Sequence, residues 1–143
     1  MSDSSPTPLI VDTSVLIAVT RTDPGVINLM QIYDSRGQPL VIPALAITGA
    51  SLDAHSEDAD ELLAGLEMLE AVTVAPLNGA RQAARVARIM DGTGLAAWDA
   101  HVAAVAAAAK CPVLTLDPAR WQKAARVFDP PLQVVEIADP DDG

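Results

Sequence analysis

The stretch PLIVDTSVL, Pro8 to Leu16, decides how the rest of the chain is read. Leu9, Ile10 and Val11 make a short apolar run of the kind that forms a strand buried on both faces. The run stops on a charged residue, Asp12, and a helical pattern starts at once. Thr13 or Ser14 is its candidate cap, with Val15, Leu16 and Ile17 behind. A buried strand that ends on a carboxylate beside a helix start puts that carboxylate at the carboxyl edge of a sheet. Ligands gather at that edge in open α/β folds.

Two further acids fit the same edge. In PVLTLDP, Val113, Leu114 and Leu116 lead to Asp117, and Pro118 opens a helix. In AAWDAHVAAVAAAA, Asp99 lies early in a long alanine-rich helix. Two readings stand side by side. Asp12 and Asp117 are each suited to cap a helix, and Asp99 to complement a helix dipole. Alternatively, Asp12, Asp99 and Asp117 converge on one site. Like charges about 4 Å apart at an effective dielectric of about 20 repel by on the order of 4 kcal/mol. A shared site therefore calls for a hard divalent cation, and carboxylate oxygens are what Mg²⁺ or Mn²⁺ prefers.

The chain has 143 residues, 50% of them apolar, which suits one domain with a core. No apolar run reaches the roughly 20 residues of a membrane span. The start, MSDSSPTP, lacks the basic and apolar segments of a signal peptide. The single Cys111 excludes an internal disulfide, fits a cytoplasmic protein and reads as packing. A net charge of −10 argues against broad nonspecific binding to nucleic acid, though metal-bound acids count in that sum. Aromatic residues make up only 3%, too few for a base-stacking platform.

Strands are expected at about 8–12, 40–42, 72–75, 112–117 and 132–137, with helices between every pair. Such alternation gives a parallel sheet with right-handed crossovers. Asp23 caps a helix with Pro24 at its first position. A helix beginning at Asp58 or Asp60 carries Leu62, Leu66 and Leu69 on one face. Asn78 caps a helix to about Met90, and 91–94 form a turn. The next helix runs from about Leu95 to Lys110, with Trp98, Val102, Val105 and Ala109 as its stripe. Arg81, Arg85 and Arg88 share one helix face, either a solvated face or a row facing phosphates. His55 and His101 have no ligand-spaced partners and read as ordinary polar residues.

VDTSVLIA at the start, WDAHVAAVA after the middle and VLTLDPARW near the end together resemble the PIN domain, in the form found in VapC-like toxins. The resemblance covers about Leu9 to Ile137. It implies an α/β, Rossmann-like PIN fold of about five parallel strands flanked by helices, over residues 8–138, with flexible tails at 1–7 and 139–143. It implies a Mg²⁺- or Mn²⁺-dependent endoribonuclease acting on RNA, restrained by an antitoxin protein and forming a homodimer. By position, Asp12, Asp99 and Asp117 match the family's catalytic and metal-binding acids. Ser14 matches the small hydroxyl after the first Asp, and Thr115 the Thr of the TxD motif. Arg81, Arg85, Arg88 and Arg120 are candidates to guide the RNA backbone.

One position departs from the family. In PALAITGA, Gly49 stands where the family carries a Glu. Gly49 shares a helix face with Leu45 and Leu52, so a Glu there is expected to point at the sheet edge and add a ligand. Its loss implies a weakened acidic site. Asp53, one turn on, is the candidate substitute acid. Two other readings remain: a catalytically inactive PIN module that binds protein or RNA, and an unrelated Rossmann-like phosphatase. Against the phosphatase, Thr13 and Ser14 follow Asp12 with no second Asp two residues on.

Overall fold

The computed structural model describes residues 6–137. The expected tails at 1–7 and 139–143, and the domain end at 138, fall mostly outside those residues.

Five short strands form one sheet: β1 (Leu9–Val11), β2 (Leu40–Pro43), β3 (Val72–Ala75), β4 (Val113–Thr115) and β5 (Val134–Glu136). Every pairing is parallel, in the spatial order β3-β2-β1-β4-β5. The chain winds outward from β1 through β2 to β3, then returns to the other side of β1 with β4. The order reverses between β1 and β4, which is the crevice where doubly wound sheets take ligands. Ile10 pairs with Val113 and Val11 with Leu114, so the ends of the two strands lie side by side.

Among the described residues seven α-helices connect and cover the sheet: α1 (Thr13–Thr20), α2 (Pro24–Ser35), α3 (Ala44–Ala54), α4 (Glu57–Glu67), α5 (Gly79–Thr93), α6 (Ala97–Ala109) and α7 (Pro118–Ala124). The core gathers Ile10, Val11, Val15, Leu16, Leu40, Val102, Val113, Leu114 and Trp121 around the central strands. As expected, Asp23 caps α2, accepting from the backbone N–H groups of Gly25 and Val26.

Several local expectations shift. α4 begins at Glu57 rather than at Asp58 or Asp60, with Ser56 as its cap, the hydroxyl accepting from Ala59 N–H. That start turns Leu63 into the core and leaves Leu62 exposed. α5 runs through Thr93, and its stop is Gly94 at φ 76°, a left-handed conformation that glycine adopts without steric cost. Asn78 stands at the start of α5 without a side-chain capping bond. The stripe on α6 also differs. Asp99 through Ala104 are all buried, along with Ala106, while Ala109 is exposed. Small alanines let several faces of α6 be enclosed, packed between the sheet, α3 and α5. No helix among the described residues is long and apolar enough to cross a membrane.

Candidate active site

Asp12 is 1% exposed at the end of β1, and its backbone still belongs to the sheet, donating to Leu114 O at 3.1 Å. A buried carboxylate is tolerated only when donors replace its water. Three do so. Ser14 Oγ donates to Oδ1 at 2.6 Å, the Val15 N–H donates to Oδ1 at 3.2 Å, and Trp121 Nε1 donates to Oδ2 at 2.9 Å. The Val15 contact makes Asp12 the N-cap of α1 in place of the expected Thr13 or Ser14, because the helix already starts at Thr13 and both fall inside its first turn. The indole of Trp121, fully buried, comes from the other side of the switch point.

Ser14 and Thr115 join the two strand ends. Ser14 spends its proton on Asp12, so Thr115 is the donor in the 3.3 Å contact between the two hydroxyls. Thr115 Oγ1 in turn accepts from Asp117 N–H at 2.9 Å, and Ser14 Oγ accepts from Leu116 N–H at 2.9 Å. A continuous chain of donors thus runs from the backbone of Asp117 to the carboxylate of Asp12.

Asp99 lies in the first turn of α6 and is 2% exposed. Its Oδ2 accepts from Arg120 Nη1 at 3.0 Å, whereas Oδ1 is buried with no partner. Thr13 Oγ1, also buried, has none either. Burial pushes the Asp99 carboxyl above its usual range; the Arg120 charge and the nearby Thr13 hydroxyl oppose that rise, and the Asp12 charge adds to it. Asp117 caps α7, and its Oδ2 meets Arg120 Nε at 3.4 Å.

Asp12, Asp99 and Asp117 therefore share the carboxyl edge at the switch point. They do not close into a single cluster of ligands. Among the described residues, no three His, Cys, Asp or Glu side chains stand close enough together to hold a metal ion. The physical reason is Arg120, whose guanidinium bridges Asp99 and Asp117 and supplies the positive charge that the repelling acids require. In kind, the donors suit a hard divalent cation: they are carboxylate oxygens, and one of them, Asp99 Oδ1, is buried and unsatisfied.

The remaining candidates lie elsewhere. Asp53 is in the last turn of α3, exposed, and paired with Arg21 at 3.3 Å. Arg21 follows the end of α1, roughly 13 Å along that helix from Asp12. Both residues thus sit at the helix ends remote from the acidic edge. Arg81, Arg85 and Arg88 are exposed on α5, which follows the outer strand β3, and Arg88 pairs with Asp91 at 3.4 Å. Arg120 is no free rim cation, since it is engaged with two acids.

Gly49 is buried and faces α6. A Cβ there would lie 2.6 Å from Trp98 Cγ and 3.0 Å from Trp98 Cβ. The space a side chain would take at this position is already occupied. It is filled by the indole next to Asp99, and a Glu there must displace Trp98 before it offers any ligand.

His101 also departs from the reading of an ordinary polar residue. It is 2% exposed, and its Nδ1 accepts from Leu45 N–H at 3.2 Å at the start of α3. Burial lowers its pKa, partly offset by a hydrogen bond to the Pro76 carbonyl. The neutral ring pins the ends of β2 and β3 to α6. The sequence carried one signal for Trp121, since a buried indole N–H needs an acceptor. It carried none for the bridge made by Arg120.

The model of the family described as PIN domain matches residues 9–127. The chain belongs to the PIN domain family. This PIN domain is similar in fold to a chain of VapBC2 from Rickettsia felis, in a crystal structure bound to a DNA fragment from their promoter. The identity is 12% and the TM-score 0.61, over 90% of this chain and 98% of that one. A chain of DNA-bound VapBC from Salmonella typhimurium is 16% identical with a TM-score of 0.61, over 91% and 98%. A protein from Pyrobaculum aerophilum is 18% identical with a TM-score of 0.52, over 90% and 84%. No curated protein matches the chain.

Proposed function

We propose that this PIN domain is a VapC-like, divalent-metal-dependent endoribonuclease, the toxin of a cytoplasmic toxin–antitoxin pair. The observation that carries this reading is a buried carboxylate with a free oxygen, Asp99 Oδ1, beside the strand-end acids Asp12 and Asp117 at the switch point of a PIN fold. The likeness to chains of VapBC structures supports an antitoxin protein as partner. RNA as substrate and a homodimer as the assembled form belong to the same proposal.

In this reading Asp12, Asp99 and Asp117 would hold Mg²⁺ or Mn²⁺, and the chemistry supplied there would be acidification of a water and neutralisation of charge at the phosphate being cleaved. The chain's own groups keep the acids ready. Ser14, the Val15 N–H and Trp121 fix both oxygens of Asp12, so its orientation is set before substrate arrives. The Thr115–Ser14 link keeps the ends of β1 and β4 in step. Enclosure of Asp99 by α6 strengthens its interaction with any cation that reaches it.

The second reading, an inactive PIN module that binds protein or RNA, is favoured by the packing of Trp98 on Gly49 in place of a fourth acid. Cleavage of a mixed RNA pool with Mn²⁺ or Mg²⁺, beside a phosphate-ester control, separates the two. The nuclease reading expects cleavage that a chelator stops and Asp12→Asn abolishes, with Asp53→Ala unchanged. RNA left intact at millimolar Mn²⁺ refutes it and leaves the binding module.

A further inference from the structure

The acidic edge already contains a cation that belongs to the chain. Arg120 places Nη1 at 3.0 Å from Asp99 Oδ2 and Nε at 3.4 Å from Asp117 Oδ2. One guanidinium therefore spans two acids from different segments, α6 and the β4–α7 junction. The planar fork of Arg suits such a bridge, whereas the point charge of Lys does not. Asp99 is almost fully enclosed, its side chain 3% exposed, while the Arg120 side chain is 41% exposed. The bridge thus has a fixed inner end and an outer end with room to move into solvent.

We infer that Arg120 is an internal counter-ion that stands in for a divalent cation at this edge, and that the two compete for Asp99 and Asp117. The inference rests on the metal-dependent reading above and adds a positioning residue to it. Two observations carry it besides the acids themselves. The guanidinium bonds one oxygen of Asp99, and the other, Oδ1, is buried with no hydrogen-bond partner. The rest of the edge is held by Trp121 and Ser14, which donate to the two oxygens of Asp12. A dication drawn to Asp99 Oδ1 meets the like charge of Arg120 across the same carboxylate, and like charges a few ångströms apart repel strongly where water is scarce. Binding of the ion therefore requires the guanidinium to swing outward, and that requirement lowers the apparent affinity.

Calorimetric titration of the whole protein with Mn²⁺, together with melting curves in chelator, tests this without recourse to activity. Arg120→Gln should bind Mn²⁺ at least tenfold more tightly than the parent, about 1.4 kcal/mol. In chelator it should melt below the parent, and Mn²⁺ should recover the difference. Adding Asp12→Asn to that variant should reverse the gain in affinity. Arg120→Lys, a milder change should Arg120→Gln fold poorly, should fall between the two. Mn²⁺ binding that is equal in parent and variants, or weaker without Arg120, overturns the counter-ion role and leaves the metal site intact. An absence of Mn²⁺ binding in parent and variants alike overturns the metal-dependent reading as well.

Discussion

Replacement of Gly49 by Ala sets two effects of known size against each other. In a solvent-facing helix, Gly→Ala stabilises by about 1 kcal/mol through backbone entropy. At Gly49 the new Cβ would lie 2.6 Å from Trp98 Cγ, 2.9 Å from Cδ2 and 3.0 Å from Cβ. Ordinary carbon contacts are about 3.5–4.0 Å, so the overlap approaches 1 Å. The atoms struck are the root of the side chain, which no rotation about its outer bonds removes. Helices α3 and α6 must then move apart, and overpacking of this kind costs about 1–3 kcal/mol. With the deep overlap at the upper end of that range, the net loss is about 1–2 kcal/mol. At roughly 4 °C per kcal/mol for a domain of this size, Tm should fall by about 4–8 °C. A double-mutant cycle isolates the contact. In a Trp98→Ala background the clash is gone, and Gly49→Ala should stabilise by about 1 kcal/mol. The coupling energy is then about 2–3 kcal/mol, measured by urea unfolding followed by circular dichroism. A rise in Tm for Gly49→Ala in the parent would refute the packing argument and would mean that helix propensity governs the site.

Two other outcomes follow from the same geometry. Trp121→Phe removes the donor to Asp12 Oδ2 and strands a buried carboxylate oxygen, so unfolding should become easier by about 2–3 kcal/mol; a loss below about 0.5 kcal/mol in urea unfolding would show that the indole bond matters little. For His101 the folded pKa lies below the ordinary value of 6.5, so its stabilising contribution is present above about pH 6.5 and fades as pH falls through the folded pKa. His101→Gln should therefore be less stable than the parent at pH 7.5, with a smaller loss between pH 7.5 and 5.5, while the opposite trend from the raised Asp99 cancels in the comparison; parallel pH profiles would remove His101 from the account.

Much of this PIN domain was legible along the chain because its signals are short-range. An apolar triplet, a carboxylate and a helix start within nine residues suffice to mark Asp12 as a strand-end acid beside a helix start, and PVLTLDP does the same for Asp117. Strict alternation of strands and helices leaves a parallel sheet as the natural outcome, and the observed sheet is wholly parallel. The resemblance pointed to the family before any coordinate did. What the chain could not disclose was the partner of each charged group. Asp12 meets the indole of Trp121, 109 residues away, and that contact exists only because β4 lies beside β1. The same is true of Gly49. On the chain it reads as a missing acid on a helix face aimed at the sheet edge, and in three dimensions it is the space that Trp98 fills. Arg120 read as a surface base guiding a substrate, yet its fork closes on Asp99 and Asp117. Propensity and capping act over one helical turn, so sequence alone settled the elements and their edge acids. Hydrogen bonds and packing act across a few ångströms of space whatever the separation along the chain, so only the tertiary structure decided which cation those acids face.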